Sequence, residues 1–201
     1  MDFLDHCFFS DEAWFNLNGN VNSQNCRFWS ANNPHLIHDI PLHQEKIGVW
    51  AAMTKRRVFF TFLNNIVNSD VYKTFIDQLI PTLNEEEIMR GWFQQDGATA
   101  HTSTSSMNHV RMFFGERIIS KGLWPPRSPD LSPPDFFLWG HLKERVYRNS
   151  PQNIEQLQAN ITAEMHLFTP AMLQAVSASV LARAHSCLLV NGAHFQNMPR
   201  V

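Results

Sequence analysis

Asp11, Asp96 and Asp135 are the residues of this chain whose type and setting could do chemistry. Asp11 follows the apolar run Cys7-Phe8-Phe9 in Phe9-Ser10-Asp11-Glu12-Ala13. Asp96 ends Trp92-Phe93-Gln94-Gln95-Asp96, and Asp135 comes directly after Ser132-Pro133-Pro134. Two acids at strand ends and one opening a helix can meet only through the fold. Converging carboxylates offer the hard oxygen ligands that Mg²⁺ or Mn²⁺ prefers. Two such ions, about 3.5–4 Å apart, can drive in-line attack on a phosphodiester. Metal-dependent cutting of nucleic acid is the chemistry these residues point to.

Each acid has an ordinary reading beside this one. Asp96 precedes Gly97-Ala98, which leaves little bulk around a carboxylate, but an Asp there can also bond its own backbone in a turn. His101, five residues on, could orient a ligand, contact a scissile phosphate, or support a neighbouring ligand by a hydrogen bond. Glu12 competes with Asp11, yet strand alternation turns adjacent side chains to opposite faces, so only one of them should reach the site. Ser132-Pro133-Pro134-Asp135 fits a helix start with an N-cap serine, a proline at the first position and an acid closing a capping box. Asp130, in a Ser-Pro-Asp-Leu turn, is the rival third acid. His35, His38 and His43 hint at zinc, but the segment has no Glu-x-x-His helix and no cysteine partner.

The elements that must position the acids follow from periodicity. Residues 3–9 read as a short strand ending at Asp11, and Arg27-Phe28-Trp29 as another after the turn-rich stretch 16–25. Residues 46–53 and 57–62 resemble an antiparallel hairpin. Val71, Phe75, Ile76, Leu79 and Ile80 recur at helical spacing until Pro81 stops them. Glu85-Glu86-Glu87 reads as an exposed helix turn or loop. A buried strand at 91–95 carries Asp96, a helix covers 103–114, and a short strand lies near 117–119. A Pro-rich loop, 124–134, feeds a helix from Asp135 to about Arg148, striped by Trp139, Leu142 and Val146. Two more helices follow, over 154–165 and 170–190. This order predicts an α/β fold, a mixed sheet flanked by helices, with residues 1–150 as the main domain and 151–201 as a helical extension packed on it. In such sheets sites gather at strand ends.

The chain has 201 residues, 44% of them hydrophobic and 17% charged, enough for one sizeable α/β domain. The absence of any run of eighteen apolar residues predicts no membrane span. The acidic start, Met1-Asp2-Phe3-Leu4-Asp5, lacks the pattern of a signal peptide. Cys7, Cys26 and Cys187 are widely spaced and odd in number, which reads as reduced thiols inside a cell. Net charge is −2, against the usual expectation for a nucleic-acid enzyme. Its distribution is uneven. Residues 111–148 hold Arg111, Arg117, Lys121, Arg127, Lys143, Arg145 and Arg148 against four acids, a candidate phosphate-tracking face.

Three strings in this order resemble mariner-type transposases, with the closest likeness to insect transposable-element copies. They are Phe9-Ser10-Asp11-Glu12-Ala13, then Gln95-Asp96-Gly97-Ala98-Thr99-Ala100-His101, then the long string from Trp124-Pro125-Pro126-Arg127 through Asp135-Phe136-Phe137-Leu138-Trp139-Gly140. The similarity runs from about residue 4 to 195. The resemblance implies an RNase H-like fold and a DDD-type enzyme that cuts and joins double-stranded transposon-end DNA in the nucleus, with a homodimer as the candidate assembly. By position Asp11, Asp96 and Asp135 match its three acids, and Asp130 matches a loop residue. Asp11 and Asp96 would bridge one Mg²⁺ and Asp135 would help hold a second, with Mn²⁺ as substitute. Between Asp96 and Asp135 lie 38 residues, slightly more than the family's commonest gap. Family members usually carry N-terminal helix-turn-helix modules, whereas this chain opens at the first strand, so a truncated copy is expected. The alternative is an inactive remnant that binds nucleic acid or dimerises.

Overall fold

Strand β1 (Cys7–Asn16) sorts its residues by alternation. Phe9, Ala13 and Phe15 face one way, while Phe8 and Trp14 face the other; Phe8 and Trp14 join one apolar cluster, Ala13 and Phe15 a second, and Phe9 a third. Around β1 the sheet runs in the order β3-β2-β1-β4-β5. Its members are β2 (Lys46–Met53), β3 (Val58–Leu63), β4 (Trp92–Gln94) and β5 (Ile118–Ile119). The β1–β2 and β2–β3 pairs are antiparallel, and β1–β4 and β4–β5 are parallel. The sheet is therefore mixed. The computed structural model describes residues 3–19 and 45–192. The strand read at residues 27–29, His35, His38, His43, Cys26 and the last nine residues lie outside the described ones.

Two helical layers cover the sheet. On the face of Phe8, Trp50 and Phe93 lie α1 (Ser69–Leu79) and α4 (Thr104–Phe114), which contribute Tyr72, Phe75, Val110 and Phe114. Trp50 stacks on Phe75 at 5.4 Å between ring centroids, and both are buried. On the face of Phe15, Val49 and Ala51 lie α5 (Trp139–Arg145), α6 (Ile154–His166) and α7 (Pro170–Leu189). Leu157, Ile161, Leu173 and Val176 join the same cluster as Ala13 and Phe15, so the C-terminal helices share the domain's core. Helix α7 is long and apolar enough to cross a membrane by length and composition. Its Leu173, Val176 and Val180 are nonetheless buried against the domain.

Three local expectations change. The first strand does not end at Asp11: it runs on to Asn16, paired with β2 from Phe9↔Met53 to Asn16↔Lys46. Its parallel partner β4 pairs only from Cys7↔Trp92 to Phe9↔Gln94. Asp11 is thus mid-strand toward β2 and already past the end of the pairing toward β4, which is what lets a carboxylate there face an opening. The helix expected from Asp135 opens with a wide turn, Pro134–Leu138, closed by the Trp139 amide on the Pro134 carbonyl, before α5 begins. Consecutive prolines at 133 and 134 remove two amides, and the Phe136 amide donates to the Ser132 carbonyl. Finally, the triple glutamate takes the helical form of the two expected, as α2 (Glu85–Arg90) with Asn84 and Glu87 in a reciprocal capping box, but it is not exposed throughout. Glu87 is buried and accepts from Arg57 Nη2 at 2.7 Å.

Candidate active site

A cleft of about 660 Å³ opens where β1 outruns β4, and Asp11, Asp96 and Asp135 all line it. The parallel register explains the first two. Phe9 is opposite Gln94, and each of the two acids stands two residues beyond that pair. Asp135 arrives from the opening turn before α5. Gln94 lines the cleft beneath them, and Lys121 and Arg127 line it from the loop after β5. A Cβ added at Gly97 would meet no atom within 4 Å, so the room beside Asp96 does not depend on that glycine.

The carboxylates are electrostatically unequal. Burial, then the charge of Asp135, pushes Asp11 up to about 8, against a hydrogen bond from Trp139 that pulls it down. The Trp139 indole N–H donates to Asp11 Oδ2 at 2.7 Å. Asp135 is also raised, by burial foremost and by the charge of Asp96, although hydrogen bonds with Ser132 and Asp11 oppose this. Asp11 and Asp135 thus form a crowded pair that holds protons well above the ordinary carboxylate range. Asp96 goes the other way. A hydrogen bond from His101 lowers it first, and the Ala98 amide lowers it further. Both donors reach the same oxygen: His101 Nδ1 is 2.6 Å from Asp96 Oδ1 and the Ala98 amide 2.9 Å.

His101 is only 5% exposed. Burial alone would lower its pKa, but hydrogen bonds to Asp96 and Glu12 outweigh that and push it up to about 10. Its Nε2 lies 2.9 Å from Glu12 Oε1. Of the three roles open to His101 in the sequence, the geometry gives it contact with a candidate ligand residue. Glu12, as alternation requires, leaves the Asp11 face and reaches this histidine instead. Asp130 is buried and does not line the cleft; its backbone carbonyl accepts from Arg183 Nη1 at 3.1 Å.

The seven basic residues do not share one face. Arg111 is on α4, in one helical layer, whereas Lys143 and Arg145 are on α5 in the other. Arg117 is occupied: its Nε donates to the Gly91 carbonyl at 2.9 Å and its Nη2 to Ile88 at 2.7 Å, capping the end of α2. Lys143 Nζ lies 5.8 Å over the Phe15 ring, and Arg148 pairs with Glu144 at 3.4 Å. Lys121 and Arg127 are the two that line the cleft. Proximity in sequence grouped these cations, and the sheet between the layers separates them.

Two contacts were not read from the sequence. Trp139 reads from the sequence as part of an apolar stripe, and nothing local signals that its indole reaches Asp11, 128 positions away. Glu12 gives no local signal either, because its partner His101 is 89 positions away. Among the described residues no group of three His, Cys, Asp or Glu is gathered into a ready-made metal cage. The donor set still fits a hard cation. The Asp11–Asp135 pair is crowded enough to retain protons that a divalent ion would displace, and Asp96 stands on the same cleft with Oδ1 occupied by its two donors.

No family model matches the chain. The mixed sheet flanked by helices is the RNase H-like fold of the Mos1 transposase catalytic domain. A structure of that domain with raltegravir and Mg superposes with a TM-score of 0.74 at 17% identity, covering 96% of this chain and 87% of that one. The Mos1 transposase paired-end complex with left transposon end gives 0.75 at 17% identity, covering 96% of this chain and 57% of that one. In sequence, the chain is 33% identical over 144 residues to the transposable element Tc3 transposase of Caenorhabditis elegans. That match takes in 69% of this chain and spans 41% of the Tc3 protein. The likeness to mariner-type transposase catalytic domains therefore holds in sequence and in fold.

Proposed function

We propose that this chain is a DDD-type transposase catalytic domain that cuts and joins DNA strands with divalent metal ions, acting on double-stranded transposon-end DNA in the nucleus and as a homodimer. The observation that carries this reading is the meeting of three carboxylates from three separate elements in one cleft, two of them crowded enough to hold protons above the carboxylate range. Asp11 and Asp96 would share one Mg²⁺ or Mn²⁺, and Asp135 with Asp11 would hold a second. Bound there, the ions would supply a nucleophilic oxygen and offset charge on the leaving oxygen. The likeness to Mos1, solved with Mg and with Mn, supports the choice of metal.

The chain's own residues have separable tasks. The Trp139 N–H fixes Asp11. The Ala98 amide and His101 together hold Asp96 ionised, through Oδ1. Lys121 and Arg127 offer positive charge where phosphates would enter. In cleavage the oxygen of water would attack phosphorus as the bond from phosphorus to the 3′ oxygen breaks, leaving a 3′-hydroxyl and a 5′-phosphate. In joining, that 3′-hydroxyl would lose its proton and attack the phosphorus of a second phosphodiester as the bond from that phosphorus to its own 3′ oxygen breaks, so the displaced strand leaves with a 3′-hydroxyl. Nicking of a plasmid in Mn²⁺, run beside a gel-shift with the same DNA, tests the proposal. Nicking by the native chain that disappears in Asp96→Asn, with DNA binding retained, is expected. Binding without nicking in the native chain would favour the inactive, DNA-binding reading instead.

A further inference from the structure

We propose that Glu12 is a positioning residue for Asp96, acting through His101, so that the strand bearing the first acid also aligns the second. The inference rests on the metal-dependent reading above. Glu12 and Asp11 are neighbours on β1 and leave it on opposite faces. Behind the sheet, Glu12 Oε1 lies 2.9 Å from His101 Nε2, and on the other side of the same ring Nδ1 lies 2.6 Å from Asp96 Oδ1. The ring therefore has a carboxyl oxygen within hydrogen-bond distance of each of its two nitrogens. The imidazole is a rigid spacer between two acids on different strands.

Asp96 needs such support. It stands beyond the end of β4 with its side chain 55% exposed, and its two donors meet at one oxygen. His101 itself belongs to α3 (Thr99–Thr102), a single turn with no side-chain cap at its start. A single turn anchors a side chain less firmly than a long helix, even with the Ser106 hydroxyl of α4 donating to the Ala100 carbonyl. Tyr72 covers the ring at 4.3 Å between centroids, and Gln95 Nε2 holds the His101 carbonyl at 3.1 Å. Those contacts restrain the ring's face and its backbone. Rotation within the ring plane is what the bond to Glu12 stops, and Glu12 sits on the strand paired to both β2 and β4.

Calorimetric titration of the chain with Mn²⁺ tests this, using Glu12→Gln and Glu12→Met, which match the native side chain closely in size. Gln keeps a carbonyl oxygen as acceptor for Nε2, whereas the Met thioether is only a weak one. Mn²⁺ affinity near the native value is expected in Glu12→Gln, and a loss of about tenfold in Glu12→Met, as for other residues that orient a metal ligand. In a His101→Asn background, where the amide replaces Nδ1 but cannot reach Glu12, adding Glu12→Met should change affinity no further. In cleavage assays Glu12→Met should lower kcat with KM for DNA unchanged. Native affinity in folded Glu12→Met, or an equal loss in the His101→Asn background, would overturn the proposal. So would a Glu12→Met that merely unfolds at lower temperature while binding Mn²⁺ normally. Asp96→Asn is the control that separates this inference from its foundation. If it binds Mn²⁺ like the native chain, the metal-dependent reading fails and the positioning role goes with it.

Discussion

Asp11 is held in the folded state under conditions that disfavour its charge, and this has a consequence for stability. Its proton is bound more tightly when folded, up to about 8, than in an unfolded chain near 3.8. The stability it contributes is therefore complete below the ordinary carboxylate range and is lost as pH rises through about 8. Thermal melts should show Tm falling across that window, and Mg²⁺ or Mn²⁺ should flatten the fall by replacing the proton. A Tm that rises steadily from pH 4 to 8 without metal would contradict the crowding of Asp11 and Asp135. Trp139→Phe removes the donor to Asp11 Oδ2 and part of a buried ring. It should cost about 1–3 kcal/mol in denaturant unfolding and lower turnover, since both packing and a part-buried hydrogen bond to the Asp11 carboxyl are lost. The acids themselves were legible, because each sits in a distinctive string. Glu12 was not, because strand alternation says which face it takes and nothing about what waits there.

Most elements could be read at their true places. Strand β2 is legible with its observed bounds and β3 one residue early, because both are largely apolar runs, and α4 and α6 are each legible to within one residue. What escaped the sequence was decided by partners. Strand β1 is longer than its local pattern suggests because β2 pairs with it to the end. Glu87 belongs to an acidic triplet that reads as solvent-exposed, yet Arg57, just before β3, meets it and makes its burial tolerable. The chain reaches β4, and so Asp96, through Gly91, where an added Cβ would come within 2.2 Å of the Glu87 carbonyl oxygen. Backbone cannot give way as a side-chain tip can. Gly91→Ala should therefore destabilise the domain by about 1–3 kcal/mol, measured as a lower urea midpoint with unchanged slope. An Ala variant as stable as the native chain would show that the turn into β4 is looser than this geometry implies.

Across the whole molecule, the net charge of −2 and the scatter of cations over both layers leave Lys121 and Arg127 as the positive charge at the cleft. Contacts of that kind are made to phosphates, so binding of this chain to DNA should weaken steeply with salt and depend little on sequence. Lys121→Glu or Arg127→Glu should weaken binding to a transposon-end duplex and a scrambled one alike, whereas Arg117→Glu should chiefly lower Tm, because Arg117 is committed to the end of α2. Fluorescence anisotropy over a salt series would check both. The central claim is that Asp11, Asp96 and Asp135 work as one metal-dependent unit. It is tested most directly by Mn²⁺-dependent nicking rates of the three single Asp→Asn variants, the triple variant and Asp130→Asn. Groups acting as a unit are not additive, so each single variant should fall about as far as the triple one while Asp130→Asn retains activity. An active Asp135→Asn beside an inactive Asp130→Asn would contradict the account.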